Sequence, residues 1–393
     1  MWPAYAVPGD DVDLWQCRGF LRTRTEVAAK LAKPMEEDGH LLSTRYGRLS
    51  VPAGEEDLIT TFLRQDGEWA FLEAEFLGGQ LPRHPRVLDI GAYLGTFTLG
   101  LTQVNPPSFA CLVEGNPASV PYLARNVAAN LHCPYEVLGA VVVAPGRSIA
   151  AARGDPSNRG STSFCADTPG TTLKLGPLDT ISFEELIKKY DTFDLVKADV
   201  EGMEEQLLTS YPALLKDEST LLWVECNEAP KSLSLARILL DTGRPLSYFA
   251  WPSHNPHNYR GRFDPIFPFA YEAGLLLGAR APRLGDTHRA AGCILKPIDS
   301  LESLRQIMWL TPRWAPREWL DLPPQEIVGI AGHLQSGQRY EDFLVTPTPQ
   351  TDNPDSTVEL GLRLAQFRIR QLEDKVAELS ALQLQQVPPR SQT

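Results

Sequence analysis

Six cysteines occur in the 393 residues, but none forms a CxxC pair and no histidine stands at zinc spacing from them. This argues against a disulfide framework or a structural zinc site and fits a reducing compartment. Basic residues are also few: 37 Lys and Arg face 49 Asp and Glu, a net charge of −12. Nucleic acid is therefore a poor principal ligand, because its binders carry basic surfaces. No run approaches 18 apolar residues, so no transmembrane helix is expected. The opening residues, MWPAYAVPGDDVDLW, carry acids and prolines where a secretory signal needs a basic end and an apolar stretch. A cytoplasmic protein is the expectation. What is present is 43% apolar and 22% charged residues, enough for a real core. The length suits one large domain with extensions, or two small domains.

The dinucleotide fingerprint GxGxxG is missing as well. Residues 87–97 read VLDIGAYLGTF, an apolar strand followed by a turn spaced Gly91-Ala-Tyr-Leu-Gly95. Gly91 and Gly95 let the backbone turn tightly at the start of a helix. Tyr93 stands where a pyrophosphate would demand close approach to the backbone. A cofactor without a pyrophosphate removes that demand, and S-adenosylmethionine is the candidate. Asp89 would help organise its amino-acid end, and Glu114, at the end of the next strand, would accept both ribose hydroxyls. An NAD-type dehydrogenase is the rival, since Glu114 serves either ribose.

Residues 1–50 read as a lead-in. Residues 58–77 have helical spacing, with Phe62, Trp69, Leu72, Phe76 and Leu77 on one face. Strands and helices then alternate: strands at 86–90, 108–114 and within 135–143, helices at 96–104 and 117–131. Residues 145–176 form a long loop, with room for small strands. A capping-box helix begins at Ser182, with Glu185 as its reciprocal partner. A strand at 193–200, a helix at 203–216 and a strand at 219–227 follow. This alternation predicts an α/β fold, a mostly parallel Rossmann-like sheet with helices on both faces. Ligands of such sheets sit at the carboxyl ends of the strands. Asp89, Glu114, Asp199, Glu201, Glu225 and Asn227 all fall there. The core domain is expected over 51–300, with an extension at 301–345 and a Pro/Thr/Asp linker at 346–356. Val358, Leu362, Ala365, Ile369, Leu372, Val376 and Leu379 then follow heptad spacing, a short coiled coil within 357–387 for self-association or a partner helix. The alternative is a terminal helix packed on its own domain.

DIGAYLGTF, VEGNP with RNVAAN, PLDTI, DLVKADVEGMEEQLL and VECNE stand in the order and spacing of the FkbM-type methyltransferases, as do GEW at 67–69 and HNPHNYRG at 254–261. Over about residues 45–280 the chain resembles that family. The resemblance implies a class I S-adenosylmethionine-dependent fold and O-methylation of a saccharide, glycolipid or natural product. It adds Glu68 of GEW and Asn116 of VEGNP to the cofactor residues. The chain departs from the family at Tyr93, commonly Asn, and at Gly115, commonly Pro.

Methyl transfer to a hydroxyl needs an aligned acceptor and a proton acceptor. Asp199, His254 and His257 are the candidates. Asp199 and Glu201 cannot both face one way on a continuing strand, so one enters the cleft and the other caps the next helix. Asp199, Glu225 and Asn227 also offer oxygens to Mg²⁺, a possibility not favoured over metal-free transfer. The loop RGDPSNRGSTS at 153–163 is a substrate lid or a solvated loop. Six arginines against three acids between Arg244 and Arg289 suit a phosphate-bearing acceptor or a solvated surface alike. Asn105-Pro106-Pro107-Ser108 mimics the NPPY motif of nucleic-acid methyltransferases but falls after the first helix and ends in serine, so it is a turn. A third possibility is a non-catalytic S-adenosylmethionine-binding module that scaffolds a glycan-assembly complex.

Overall fold

A computed structural model describes residues 39–52, 57–145, 151–155, 158–165, 178–200, 203–227, 230–266 and 270–311. Most of the lead-in, the linker, the heptads at 357–387, and Glu201 with Gly202 lie outside the described residues.

The first described element is a hairpin, β1 (Gly39–Thr44) and β2 (Gly47–Pro52), followed by helices α1 (Leu58–Gln65) and α2 (Phe71–Gly78). Then β3 (Arg86–Ile90), α3 (Thr96–Val104), β4 (Phe109–Glu114), α4 (Val120–Asn130) and β5 (Tyr135–Gly139) alternate. Two small two-stranded sheets come next. They pair β6 (Val141–Val143) with β9 (Thr180–Ser182), and β7 (Ala151–Asp155) with β8 (Asn158–Cys165). The chain continues through α5 (Phe183–Tyr190), β10 (Leu195–Ala198), α6 (Glu204–Ser210), α7 (Pro212–Lys216), β11 (Leu221–Glu225) and α8 (Pro230–Leu240). It ends with β12 (Leu246–Pro252), β13 (Tyr271–Leu277), α9 (Asp286–Ala290), β14 (Ile294–Ile298) and α10 (Leu301–Leu310).

Eight strands form the central sheet, in the order β14-β12-β13-β11-β10-β3-β4-β5. The run from β11 to β5 is parallel. β13 lies antiparallel between β11 and β12, and β14 runs antiparallel to β12. This is a mostly parallel, Rossmann-like sheet. Both faces are covered, which is why β3, β4, β10 and β11 read as near-continuous apolar runs. On one face Leu88, Val196, Leu222 and Tyr248 pack with Leu186 of α5 and Leu304 of α10. On the other, Val87, Leu195 and Phe249 pack with Leu72 and Phe76 of α2 and Phe97 of α3.

That second face also carries a polar row. Asp89, Lys197 and Trp223 stand side by side on β3, β10 and β11. Trp223 lies across Gly274 of β13, where a Cβ would come within 2.2 Å of the indole ring. Glycine is needed there because the indole takes the space a side chain would fill.

The expected capping box is formed: Ser182 Oγ accepts from the Glu185 N–H at 3.2 Å, and Glu185 Oε2 accepts from the Ser182 N–H at 2.8 Å. Other boundaries move. The helix expected over 58–77 is two, broken at residues 66–70 where Gly67 and Ala70 take φ of 75° and 56°. Contacts to segments far along the chain outweigh the helical spacing there, as described below. The strand expected within 135–143 is also two, because only β5 joins the large sheet. The helix expected over 203–216 breaks at Tyr211, since Pro212 disfavours a helical residue before it. The strands β12, β13 and β14 were not expected from the sequence.

Candidate functional site

A cavity of about 410 Å³ opens at the carboxyl ends of β3, β4, β10 and β11. Asp89, Gly91, Tyr93 and Glu114 line it on one side, and Asp199, Glu225 and Asn227 on the other. Four of the acids that the alternating pattern put at strand ends, Asp89, Glu114, Asp199 and Glu225, thus meet in one space.

The turn after β3 is shaped by its neighbour. Gly91 has φ of 85°, and a Cβ there would sit 1.8 Å from the carbonyl oxygen of Asp199. No other residue fits, because the backbone after β10 crosses directly against it. Tyr93 takes φ of 45°, a left-handed conformation that costs a non-glycine residue on the order of 1 kcal/mol. Two features offset this cost. Its ring is buried against the core, and its N–H donates to Glu114 Oε2 at 2.8 Å. The position therefore does adopt a glycine-like backbone, although it carries a tyrosine.

Glu114 is held from both sides, since the Asn116 N–H donates to Oε1 at 2.7 Å. Burial pushes its carboxyl up to about 7, against the pull of these two N–H donors. Asn116 itself is off the cavity lining and acts here through its backbone. Gly95 is also off the lining and stands at the N-terminus of α3. Asp89 is fully buried. Its Oδ2 accepts from Thr98 Oγ1 at 2.7 Å, whereas Oδ1 accepts no hydrogen bond among the described residues. Burial raises its carboxyl, and Lys197 opposes that shift.

Lys197 is the cation of this wall. Its ammonium lies 2.9 Å from Asp199 Oδ2 and 4.0 Å from Asp89 Oδ1, with only 3% of the residue exposed. Burial alone would lower its pKa, but Asp199, Glu73 and Asp89 outweigh burial and hold it above its ordinary value. Of the three oxygen-bearing residues offered for Mg²⁺, Asp199 already accepts this ammonium through Oδ2. Asp199 lines the cavity, and the Val200 N–H donates to Glu204 Oε1 at 3.0 Å.

Glu68, His254 and His257 do not line the cavity. They belong to a clasp beside it. Glu68 accepts from Arg45 Nε, from Asn255 Nδ2 at 2.8 Å and from the Tyr259 N–H at 2.8 Å. His254 Nδ1 lies 3.0 Å from Asp66 Oδ2, and the His257 carbonyl accepts from Arg45 at 2.9 Å. These contacts tie the break between α1 and α2 to the loop after β12, and so bring GEW and HNPHNYRG together. Trp69, the last residue of GEW, and Trp251, which precedes HNPHNYRG, line the cavity. The six arginines between residues 244 and 289 do not reach the lining; Arg244, for example, donates to the Leu215 and Thr220 carbonyls.

Sequence reasoning missed Glu73 and assigned no role to Lys197. A lysine inside an otherwise apolar strand was a legible signal. Glu73 carried none, because it sits in the apolar helix FLEAEFLG. Its Oε1 accepts from Trp223 Nε1 at 2.6 Å. Burial pushes its carboxyl up to about 7, with Lys197 opposing the shift and Asp199 adding to it. The fold thus favours protonated Glu73, and this contribution is complete below about 4.5 and lost as pH rises through about 7. Glu73→Gln, which keeps the bond to Trp223, is therefore expected to raise stability at pH 8 by up to roughly 3 kcal/mol relative to the native residue. The gain should vanish by pH 4.5. Urea midpoints across this range check it, and a pH-independent difference would contradict it.

No family model and no curated protein matches the chain. Among solved structures, it is similar to a precorrin-6y C5,15-methyltransferase from Geobacter metallireducens GS-15, with 12% identity over 54% of this chain and 86% of that one, at a TM-score of 0.31. It is similar to the methyltransferase FkbM from Methylobacillus flagellatus KT, with 15% identity over 53% of this chain and 48% of that one, at a TM-score of 0.32. A putative SAM-dependent methyltransferase from Streptococcus mutans gives 10% identity over 68% and 67%, at 0.34. At these values the likenesses carry no weight of their own. The fold is established by its strand order, and the chemistry has to come from the cavity.

Proposed function

We propose that the protein is an S-adenosylmethionine-dependent O-methyltransferase acting on a hydroxyl of a saccharide, glycolipid or natural product. One observation carries this. Glu114 is held rigidly at the end of β4, with both oxygens fixed by backbone N–H groups and the carboxylate lining the cavity. That carboxylate retains lone pairs for two ribose hydroxyls. Across the turn, the buried Asp89 Oδ1 has no hydrogen-bond donor among the described residues. The amino group of the cofactor would supply one. Tyr93 occupies the turn where a dinucleotide's pyrophosphate would need an open backbone. The residues present fit the cofactor.

When bound, S-adenosylmethionine supplies an activated sulfonium methyl. The chain's own residues then have to bind, align and deprotonate the acceptor. Glu225, Glu272 and Asn227 line the acceptor side together with Trp251 and Trp223. Polar oxygens beside aromatic walls suit a polyhydroxylated ring. Among the described residues no arginine lines this cavity, which disfavours a phosphate-bearing acceptor.

Titration calorimetry with S-adenosylmethionine and with NAD tests the cofactor. Binding of the first and not the second is expected, and the reverse would make the protein a dehydrogenase. Incubation with tritiated S-adenosylmethionine and a cell-extract glycan fraction tests the transfer. Binding without any labelled glycan would favour the non-catalytic module.

A further inference from the structure

Two of the three expected proton acceptors stand off the cavity lining, and the third lines it but is held in an ion pair. His254 is turned to Asp66, His257 is exposed on the clasp, and Asp199 is ion-paired with Lys197. A fourth group meets the geometric requirements. Glu73 projects from α2 onto the polar row of the sheet, lines the cavity and is 4% exposed. Its Oε1 is anchored by Trp223 Nε1 at 2.6 Å, and Trp223 is itself pinned across Gly274. Its Oε2 accepts no hydrogen bond among the described residues and is left for the cavity. One oxygen is fixed and the other is available, which is the arrangement a positioned base requires.

We propose that Glu73 is the catalytic proton acceptor of the transfer, taking the proton of the acceptor hydroxyl through Oε2 as the methyl arrives. This rests on the methyl-transfer reading above. An oxygen lone pair of the acceptor forms the new C–O bond. The methyl–sulfur bond breaks with its electron pair left on sulfur. The hydroxyl proton moves to Glu73, so the products are the methyl ether, S-adenosylhomocysteine and a protonated carboxyl that returns its proton to water. Burial supports the role, since it brings the Glu73 carboxyl to about 7, near the pH at which a base must both hold and release a proton. Lys197 keeps the surrounding carboxylates compensated while this happens.

The test uses the full-length protein and two independent readouts. The first needs no acceptor: infrared difference spectra across pH should show a protonated carboxyl band titrating near neutrality. Glu73→Gln should remove one component of it and leave the component of Glu114, whose carboxyl is also brought to about 7, while Glu114→Gln should leave the component of Glu73. The second measures tritium transfer from S-adenosylmethionine to the cell-extract glycan fraction. Glu73→Gln is expected to lower transfer at least 100-fold, with S-adenosylmethionine affinity changed less than threefold by calorimetry. Glu73→Asp should recover part of the loss, and at saturating S-adenosylmethionine the acidic limb of the native pH profile should disappear in Glu73→Gln. The proposal is overturned if no band depends on Glu73, if Glu73→Gln retains transfer, or if the loss lies wholly in cofactor affinity. If the native protein does not bind S-adenosylmethionine, the methyl-transfer reading fails first, and calorimetry alone reveals this.

Discussion

Replacing Glu114 by alanine is expected to weaken S-adenosylmethionine binding by at least about 100-fold. Two hydroxyl donors to one carboxylate are worth roughly 1.5–3 kcal/mol each, and about 1.4 kcal/mol corresponds to a factor of ten. The substitution also removes the acceptor for the N–H groups of Tyr93 and Asn116. The turn that shapes the cofactor wall then loses its anchor, and Tyr93 loses one of the two features that offset its left-handed backbone. The pH dependence has a definite sign. Burial holds the free carboxyl at about 7, and hydroxyl donors favour its ionised form. Affinity should therefore rise as pH increases through 7, with proton release on binding. Calorimetry in two buffers of different ionisation enthalpy reads both effects. An affinity within threefold of the native value, in a variant that remains folded, would remove Glu114 from the site.

Lys197→Met is expected to be the most damaging substitution for stability. Methionine has similar length, but it leaves Asp89, Glu73 and Asp199 around a buried position without their cation. Breaking one side of a buried charge arrangement costs about 3–5 kcal/mol, against a typical total of about 5–15 kcal/mol. In the native protein the lysine's folded pKa is raised. Its contribution is therefore complete below the ordinary lysine pKa and is lost only at still higher pH. The lysine's own titration therefore adds no pH dependence between pH 5 and 9. In the variant the orphaned carboxylates can take up protons, so the damage should shrink as pH falls from 8 towards 5. Urea unfolding at the two pH values checks this. A loss under 1 kcal/mol at pH 8, or one that grows on acidification, would show that the row does not depend on its cation.

Much of this protein was determined locally. The short apolar runs at β3, β4, β10 and β11 specify buried parallel strands, because only strands covered on both faces can be apolar throughout. The acids that end these runs gather where the strands end, so Asp89, Glu114, Asp199 and Glu225 were legible as one cluster, and they line one cavity. The need for glycine at position 91 was legible too, but its physical cause, the carbonyl of Asp199 more than a hundred residues later, was not.

Tertiary structure alone decided which side chains meet across long separations. Helical spacing over 58–77 is a property of one segment. The break at residues 66–70 comes from Asp66 and Glu68 bonding to His254, Asn255 and Tyr259, whose net gain exceeds that of one more turn of helix. The same separation turned the two expected histidines into members of a clasp rather than of the cavity. It also brought Glu73 of an apolar helix onto Trp223, 150 positions away. Periodicity reports which face of an element is buried, and it does not report what that face is buried against. The strand ends were therefore visible in the sequence, while the partner of Lys197, the anchor of Glu73 and the true place of His254 required the folded chain.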